Sequence, residues 1–300
     1  MKAKLFIIPA ILLAAACQQM ENEAPFDKEA VTGEAVYTIT VQASKGEGET
    51  KALDLVAGTP DRLNAYWTST EKVKVYKEGV LLGTLDVIPD AGEKPASATL
   101  SGSITTTGLA ANDELTLRIP REDWDYTGQT GTLAGIESDY DYAAATVTVA
   151  TVDEVNHSVT TIGRAVFENQ QSIYRFGFKA GGEYFYPKSF IVSAASGKLV
   201  KSMSWNGSAW APLYGSIGVT PASAPGDHFF YVSLRNDQTT DDTYNFIITG
   251  SDDALYMGSK TIPASVLDVP GKFISAKNVS AVKPDFTPAG GSVNATQEVL

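Results

Sequence analysis

Hydrophobic and polar positions alternate in twos along most of this chain. Tyr37, Ile39 and Val41 alternate with Thr38, Thr40 and Gln42. Val73 and Val75 alternate with Lys74 and Tyr76, and Glu78-Gly79 is placed to turn the chain into a second apolar run, Val80 to Val87. Leu115, Leu117 and Ile119 alternate with Thr116 and Arg118, and Val147 and Val149 alternate with Thr146, Thr148 and Ala150. Successive residues of a strand point to opposite faces. A period of two therefore predicts strands with one apolar and one wet face, as in antiparallel sheets half exposed to water. Clusters of Gly, Pro, Asp and Asn separate the segments, as turns require.

The second half continues the pattern. Tyr174, Phe176 and Phe178 share one face, with Arg175 and Lys179 on the other. Phe190-Ile191-Val192, Phe229 to Leu234 and Phe246-Ile247-Ile248 are apolar throughout, which suits central strands, and Leu255 to Met257 and Phe273 to Val282 complete a second set. No segment longer than about two turns carries a 3.6-residue period; Asp61 to Asn64 is the one candidate for a short turn of helix. The expected architecture is all-β, with two tandem β-sandwich domains of antiparallel strands over residues 35–167 and 168–283. The polar run Phe167-Glu168-Asn169-Gln170-Gln171 marks the boundary.

The N-terminus departs from this grammar. Met1-Lys2-Ala3-Lys4 precede an apolar run from Leu5 to Ala16, and the single cysteine, Cys17, follows it. A bilayer span takes about 20 residues, so the run is too short for one and residues 1–17 read as a secretory signal peptide. Residues 18–34 are polar, acidic and unpatterned, and read as a flexible tether. An exported chain without a second cysteine is held by its core alone, and roughly 280 residues beyond the signal peptide are ample for that. Cleavage before Cys17 would take Lys2 and Lys4 from the 23 basic residues and none from the 35 acidic, moving the net charge from −12 to about −14. A chain this acidic repels nucleic acid and anionic membrane surfaces, so no nucleic-acid partner is expected.

The chain carries little catalytic vocabulary. Its two histidines, His157 and His228, are far apart, and neither sits in an HExxH, paired-His or Ser/His/Asp arrangement. No GxGxxG or P-loop is present, no metal site or cofactor is indicated, and no pair of carboxylates stands out for glycosidase chemistry. A non-enzymatic protein is the expectation. Trp205 and Trp210, in Ser204-Trp205-Asn206-Gly207-Ser208-Ala209-Trp210, flank an Asn-Gly turn. Such a pair either stacks on sugar rings or packs inward across a hairpin, and inward packing is the commoner fate of tryptophan.

Two resemblances sharpen this reading. Leu13-Ala14-Ala15-Ala16-Cys17 resembles a bacterial lipobox, which implies lipidation of Cys17; no aspartate follows it, which implies an outer-membrane destination. Several ordered stretches resemble the fimbrillin family of type V pilus subunits. These are Ala65-Tyr66-Trp67 with Glu71 to Tyr76, Asp139-Tyr140-Asp141-Tyr142-Ala143, Ala165 to Phe176, Tyr256 to Lys260, and Gly271 to Ile274. The resemblance implies two transthyretin-like β-sandwich domains. It further implies a lipid-anchored, surface-exposed precursor of a fimbrium and assembly by β-strand exchange. A protease removes the first strand, and a strand of a neighbouring subunit fills the groove. The implied partners are other pilus subunits, the outer membrane through the lipid, and a host or bacterial surface ligand.

The sequence offers parts for such a role. The removable first strand would place Tyr37, Ile39 and Val41 in the core. The polar, glycine-rich stretch from Ser44 to Lys51 is a plausible cleavage loop, with Lys51-Ala52 as the leading bond and Lys45-Gly46 and Arg62-Leu63 as rivals; it reads equally as a plain hairpin loop on an uncleaved lipoprotein. In the tail, 284–300, Val293, Ala295, Gln297 and Val299 alternate beyond Pro284, Pro288, Gly290 and Gly291. These 17 residues span about 55 Å when extended at about 3.3 Å each, enough for a donor strand, and a disordered tail fits them as well. The alternative to a polymerising subunit is a permanently anchored lipoprotein that binds glycan or host ligand.

Overall fold

The computed structural model describes residues 33–45, 54–55, 63–64, 66–119, 124–267 and 270–284. Strands dominate them. The first half contains β1 (Ala35–Lys45), the small hairpin of β2 (Asp54–Leu55) and β3 (Leu63–Asn64), β4 (Lys72–Lys77), β5 (Val80–Pro89), β6 (Ser97–Thr106), β7 (Glu114–Ile119), β8 (Trp124–Asp125), β9 (Ala143–Asp153), β10 (Ser158–Ile162) and β11 (Ala165–Asn169). The second half contains β12 (Ser172–Ala180), β13 (Glu183–Tyr184), β14 (Pro187–Ala194), β15 (Val200–Trp205), β16 (Trp210–Tyr214), β17 (Ile217–Val219), β18 (Phe230–Leu234), β19 (Asp242–Gly250), β20 (Leu255–Ile262) and β21 (Phe273–Val282). Two short helical pieces interrupt the strands: α1 (Leu133–Gly135), which widens into a π turn over Ile136–Tyr140, and α2 (Ala264–Leu267). The expected turn of helix near Asn64 is instead strand, since Leu63 and Asn64 pair with Leu55 and Asp54.

The all-β expectation holds, but the first sheet is not a sandwich of two open sheets. Its strands run β1, β6, β5, β4, β7 and β9 by successive hydrogen-bonded pairs, and then return to β1 through β10 and β11, which lie end to end in one strand position. The sheet thus closes on itself as a barrel, which removes exposed edges. Nor are all pairs antiparallel: β1 runs parallel to β10 and to β11, and β12 runs parallel to β21. The inward residues fill the barrel. Ile39, Val41, Val73, Val75, Leu85, Leu100, Leu115, Leu117, Val149 and Phe167 are all buried in one cluster. The turn between β4 and β5 is where the sequence places it. Glu78 and Gly79 both take positive φ, 50° and 78°, which is the two-residue geometry that matches strand twist.

The second sheet is ordered β13, β12, β21, β20, β19, β14, β17, with β18 sharing with β13 the edge of β12 away from β21. It wraps an aromatic core that includes Tyr174, Phe176, Phe178, Phe190, Phe230, Tyr244 and Phe246. Of the three apolar runs that suggest enclosed strands, Phe230 to Leu234 is buried at every position, whereas those of β14 and β19 are only half enclosed. Ile191 pairs with Ile247, Ile247 with Met257, and Met257 with Val282. These four form a row across β14, β19, β20 and β21, each 43–66 % exposed, with no described residue covering that face.

Residues 124–142 fall by number within 35–167 yet belong by packing to the second core. Trp124, Tyr126 and Tyr142 are buried in it, and β8 pairs with β15. Gln129 joins the two outer strands of the second sheet. Its backbone bridges β17 at Val219 and accepts from the Thr220 amide at 2.9 Å. Its side chain then imitates a strand toward β18: Nε2 donates to the Ser233 carbonyl at 2.7 Å and Oε1 accepts from the Ser233 amide at 2.8 Å. The Tyr231 amide donates to the Gly131 carbonyl at 2.9 Å nearby. A segment from the first half therefore satisfies backbone groups that the second sheet leaves open.

The two cores lie in one contact unit, and a cation joins them. Arg118 of β7 is fully buried. Its guanidinium sits 3.4 Å from the centre of the Trp210 ring and 3.9 Å from that of Trp124, and the two indoles lie within 19° of parallel. A planar guanidinium fills the slot between two rings in a way an ammonium does not.

Two substitutions test these joints. Gln129→Leu leaves the Ser233 amide and carbonyl buried without partners and should cost about 2 to 4 kcal/mol, read as a lower denaturant midpoint. Arg118→Lys keeps the charge but loses the sandwich, and should cost about 1 to 3 kcal/mol in the same measurement; an unchanged midpoint would dismiss the stacking account.

Candidate functional site

The first strand is the element on which a strand-exchange function turns. In β1 the inward residues are Tyr37, Ile39, Val41, Ala43 and Lys45, each buried, between exposed or half-buried neighbours. On one side β1 pairs with β6 over ten successive positions, from Ala35 opposite Thr106 to Ser44 opposite Ser97. On the other side its first part meets β10 at Thr38 and Ile39, and its last part meets β11 at Ala43, Ser44 and Lys45. This strand is central, not peripheral. Burying Tyr37, Ile39 and Val41 contributes on the order of 1.5–3 kcal/mol each, and the ladder on both sides satisfies their backbone groups.

Both ends of β1 are fastened by side chains. At the start, the Tyr37 hydroxyl donates to Glu154 Oε2 at 2.7 Å, and its ring leans on His157. The hydrogen bond to the carboxylate, followed by burial, holds the phenol above its usual pKa. The Thr38 amide donates to the His157 carbonyl at 2.8 Å. At the end, Lys45 turns inward where an apolar residue would continue the pattern. Its Nζ lies 3.4 Å from Glu71 Oε1, with 2 % and 6 % of the two side chains exposed. The ammonium also sits 4.4 Å from the centre of the Trp67 ring and donates to the Tyr66 carbonyl. Trp67 is in turn edge-on to Phe167 of β11 at 5.2 Å, and Glu71 Oε2 accepts from the Thr68 amide at 2.6 Å. The loop from Tyr66 to Glu71 is thereby built around the end of β1.

The expected site residues separate accordingly. Tyr37, Ile39 and Val41 line the barrel core together. Lys45, expected as a rival processing residue, is enclosed in an ion pair, and its side chain cannot enter a protease pocket without first leaving the fold. Cys17, Lys51, Ala52 and Arg62, and the tail residues Val293, Ala295, Gln297 and Val299, lie outside the described residues. Trp205 and Trp210 do come together, edge to face at 5.7 Å. One face of Trp210 carries Arg118, and Trp205 lies against the β4–β5 turn so closely that a Cβ on Gly79 would be 2.4 Å from its ring. The first half supplies surface on which both rings pack, and each stays half-buried.

Sequence reasoning missed Lys45 as a latch, Gln129 as a strand surrogate and Arg118 as the joint. The one available signal was the place of Lys45, a charged residue at an inward position of an otherwise apolar alternation. Among the described residues no cluster of three or more His, Cys, Asp or Glu side chains is arranged to hold a metal, and no helix is long and apolar enough to cross a membrane.

No protein-family model matches the chain, and no curated protein matches it. Solved structures similar in shape include candidate cell adhesion proteins of Bacteroides uniformis (12 % identity, 83 % of this chain and 98 % of that one, TM-score 0.39) and of Bacteroides ovatus (14 %, 84 % and 97 %, TM-score 0.38). Another is the C-terminally truncated tip fimbrial protein Mfa3 of Porphyromonas gingivalis (9 %, 76 % and 81 %, TM-score 0.33).

The latch predicts a double-mutant signature. Glu71→Leu alone strands a buried ammonium and should cost about 3 to 5 kcal/mol, whereas Lys45→Met with Glu71→Leu should cost clearly less than that single change. Chemical denaturation of the three proteins decides it; additive losses would show that the pair is not coupled.

Proposed function

We propose that this chain is the precursor of a fimbrial subunit at the cell surface, delivered as a lipoprotein through Cys17 and assembled by exchange of its first strand. One observation carries the reading: β1 closes the barrel from both sides, yet it is the first of the described strands. A single cut between Lys45 and Lys72 separates it covalently from the body of the fold, and Lys51-Ala52 lies in that interval. Loss of β1 would leave the β6 edge unpaired over ten positions, above a groove vacated by Tyr37, Ile39, Val41 and Ala43. An open edge over an apolar groove accepts an added strand, because main-chain hydrogen bonds give affinity and alternate side chains give register. The alternating tail with Val293, Ala295, Gln297 and Val299 is the donor on this reading. The exposed row Ile191, Ile247, Met257 and Val282 gives a neighbouring subunit a further apolar contact. The partners are other subunits of the polymer, with the outer membrane holding the precursor and a surface ligand at its tip.

The buried Lys45–Glu71 pair favours a second reading, a lipoprotein that keeps β1 and stays anchored while binding glycan or host ligand. Mass spectrometry of the mature N-terminus on cells, with electrophoresis of unboiled extracts, separates the two. The subunit reading expects an N-terminus beyond residue 45 and SDS-resistant ladders. A chain that always begins at acylated Cys17 and runs as a monomer would sink it in favour of the anchored form. Weakening the latch with Lys45→Met and Glu71→Leu together should raise the cleaved fraction several-fold if release of β1 limits processing.

A further inference from the structure

The second half contains a cavity that neither the barrel nor the strand-exchange reading uses. It has a volume of about 250 Å³ and is lined by the residues joining β11 to β12 and β18 to β19. Its chemistry is dominated by amides and hydroxyls: Gln170, Gln171, Asn236, Gln238 and Thr239, with Arg235 among them. Leu234 and Leu267 form an apolar wall.

The polar groups divide into a frame and a set left over for a ligand. Asn236 belongs to the frame. Its Nδ2 donates to Asp242 Oδ2 at 2.8 Å and its Oδ1 accepts from the Gln238 amide at 3.0 Å, which fixes the loop. Asp242 is fixed in turn. Burial alone would raise its pKa, but donors from Ser196 and Asn236 and from two backbone amides outweigh this and hold the carboxyl below its usual value. Arg235 is half in the frame, with Nε on Asp237 Oδ1 at 2.9 Å and Nη1 on Gln170 Oε1 at 3.2 Å, so its charge is met by a carboxylate. Its Nη2 remains, as do the Gln238 side-chain amide and the Thr239 hydroxyl at the mouth. Deeper in, Gln171 is 2 % exposed. It donates through Nε2 to Asp141 Oδ1 at 3.1 Å, while its Oε1 accepts no hydrogen bond. A buried amide oxygen without a donor is costly to keep.

We infer that this cavity binds one neutral sugar ring, the terminal residue of a glycan. The Gln238 side-chain amide offers a donor and an acceptor side by side, and Gln171 Oε1 a further acceptor, which matches hydroxyl groups on adjacent ring carbons, themselves donors and acceptors at once. The apolar wall suits the C–H face of such a ring. The locally compensated charge of Arg235 disfavours an anion. A volume below the roughly 300 Å³ at which drug-sized sites begin admits one ring and not an extended chain. This places ligand recognition in the second half, away from both β1 and the Trp205–Trp210 joint, and it stands whether or not β1 is exchanged.

Saturation-transfer NMR on the detergent-extracted full-length protein tests it, with the methyl glycosides of glucose, galactose, mannose and N-acetylglucosamine as probes up to about 10 mM. At least one should bind, Gln238→Ala should weaken it at least tenfold, and Thr239→Trp, which fills the mouth, should abolish it while the melting temperature stays put. The proposal is overturned if none of the four binds, if inorganic phosphate displaces the sugar, or if full affinity survives in Gln238→Ala; the last variant alone decides if Thr239→Trp fails to fold.

Discussion

The closure of the first sheet by β1 is the constraint from which the rest follows. A barrel has no edge only while every strand finds two neighbours, and β1 finds β6 along its length and β10 and β11 end to end. Those contacts join residues more than fifty positions apart in sequence, so the closure is non-local and loop entropy opposes it. It is held by the inward set ending at Lys45, whose buried ammonium requires Glu71, Trp67 and the Tyr66 carbonyl around it. The same closure makes β1 a central, stabilising strand, whose absence would expose a long edge on β6.

The second half is completed in the same manner, by chain from outside it. Gln129 presents backbone to β17 and a side-chain amide to β18, and Arg118 slots between Trp124 and Trp210. Neither half therefore resembles an independent bead on a string. A force applied through one core is passed to the other across a desolvated cation between two indoles and through backbone hydrogen bonds of the 124–142 segment.

Much of the fold was legible from alternation alone. The period of two in Tyr37-Ile39-Val41, in Val73-Val75 and in Leu115-Leu117-Ile119 placed strands and their buried faces where they are, because side-chain direction in a strand is set by the backbone and needs no partner. The Glu78-Gly79 turn was legible for the same local reason. The exposed row Ile191, Ile247, Met257 and Val282 was not, since an apolar run reads as enclosed whether or not a neighbour covers both faces. The candidate site was half legible: the inward residues of β1 were, while its central position and the Lys45 latch were not.

The sequence by itself determined the all-β class and the inward faces of strands such as β1 and β7, all of which depend on the order of nearby residues. Only the tertiary structure decided that the first sheet closes into a barrel, that β1 pairs in parallel with β10 and β11, and that residues 124–142 complete the far core. It likewise decided that Trp205 and Trp210 pack against the first half. Those outcomes depend on which distant surfaces meet, and a pairing between residues a hundred positions apart leaves no periodic mark in either of them.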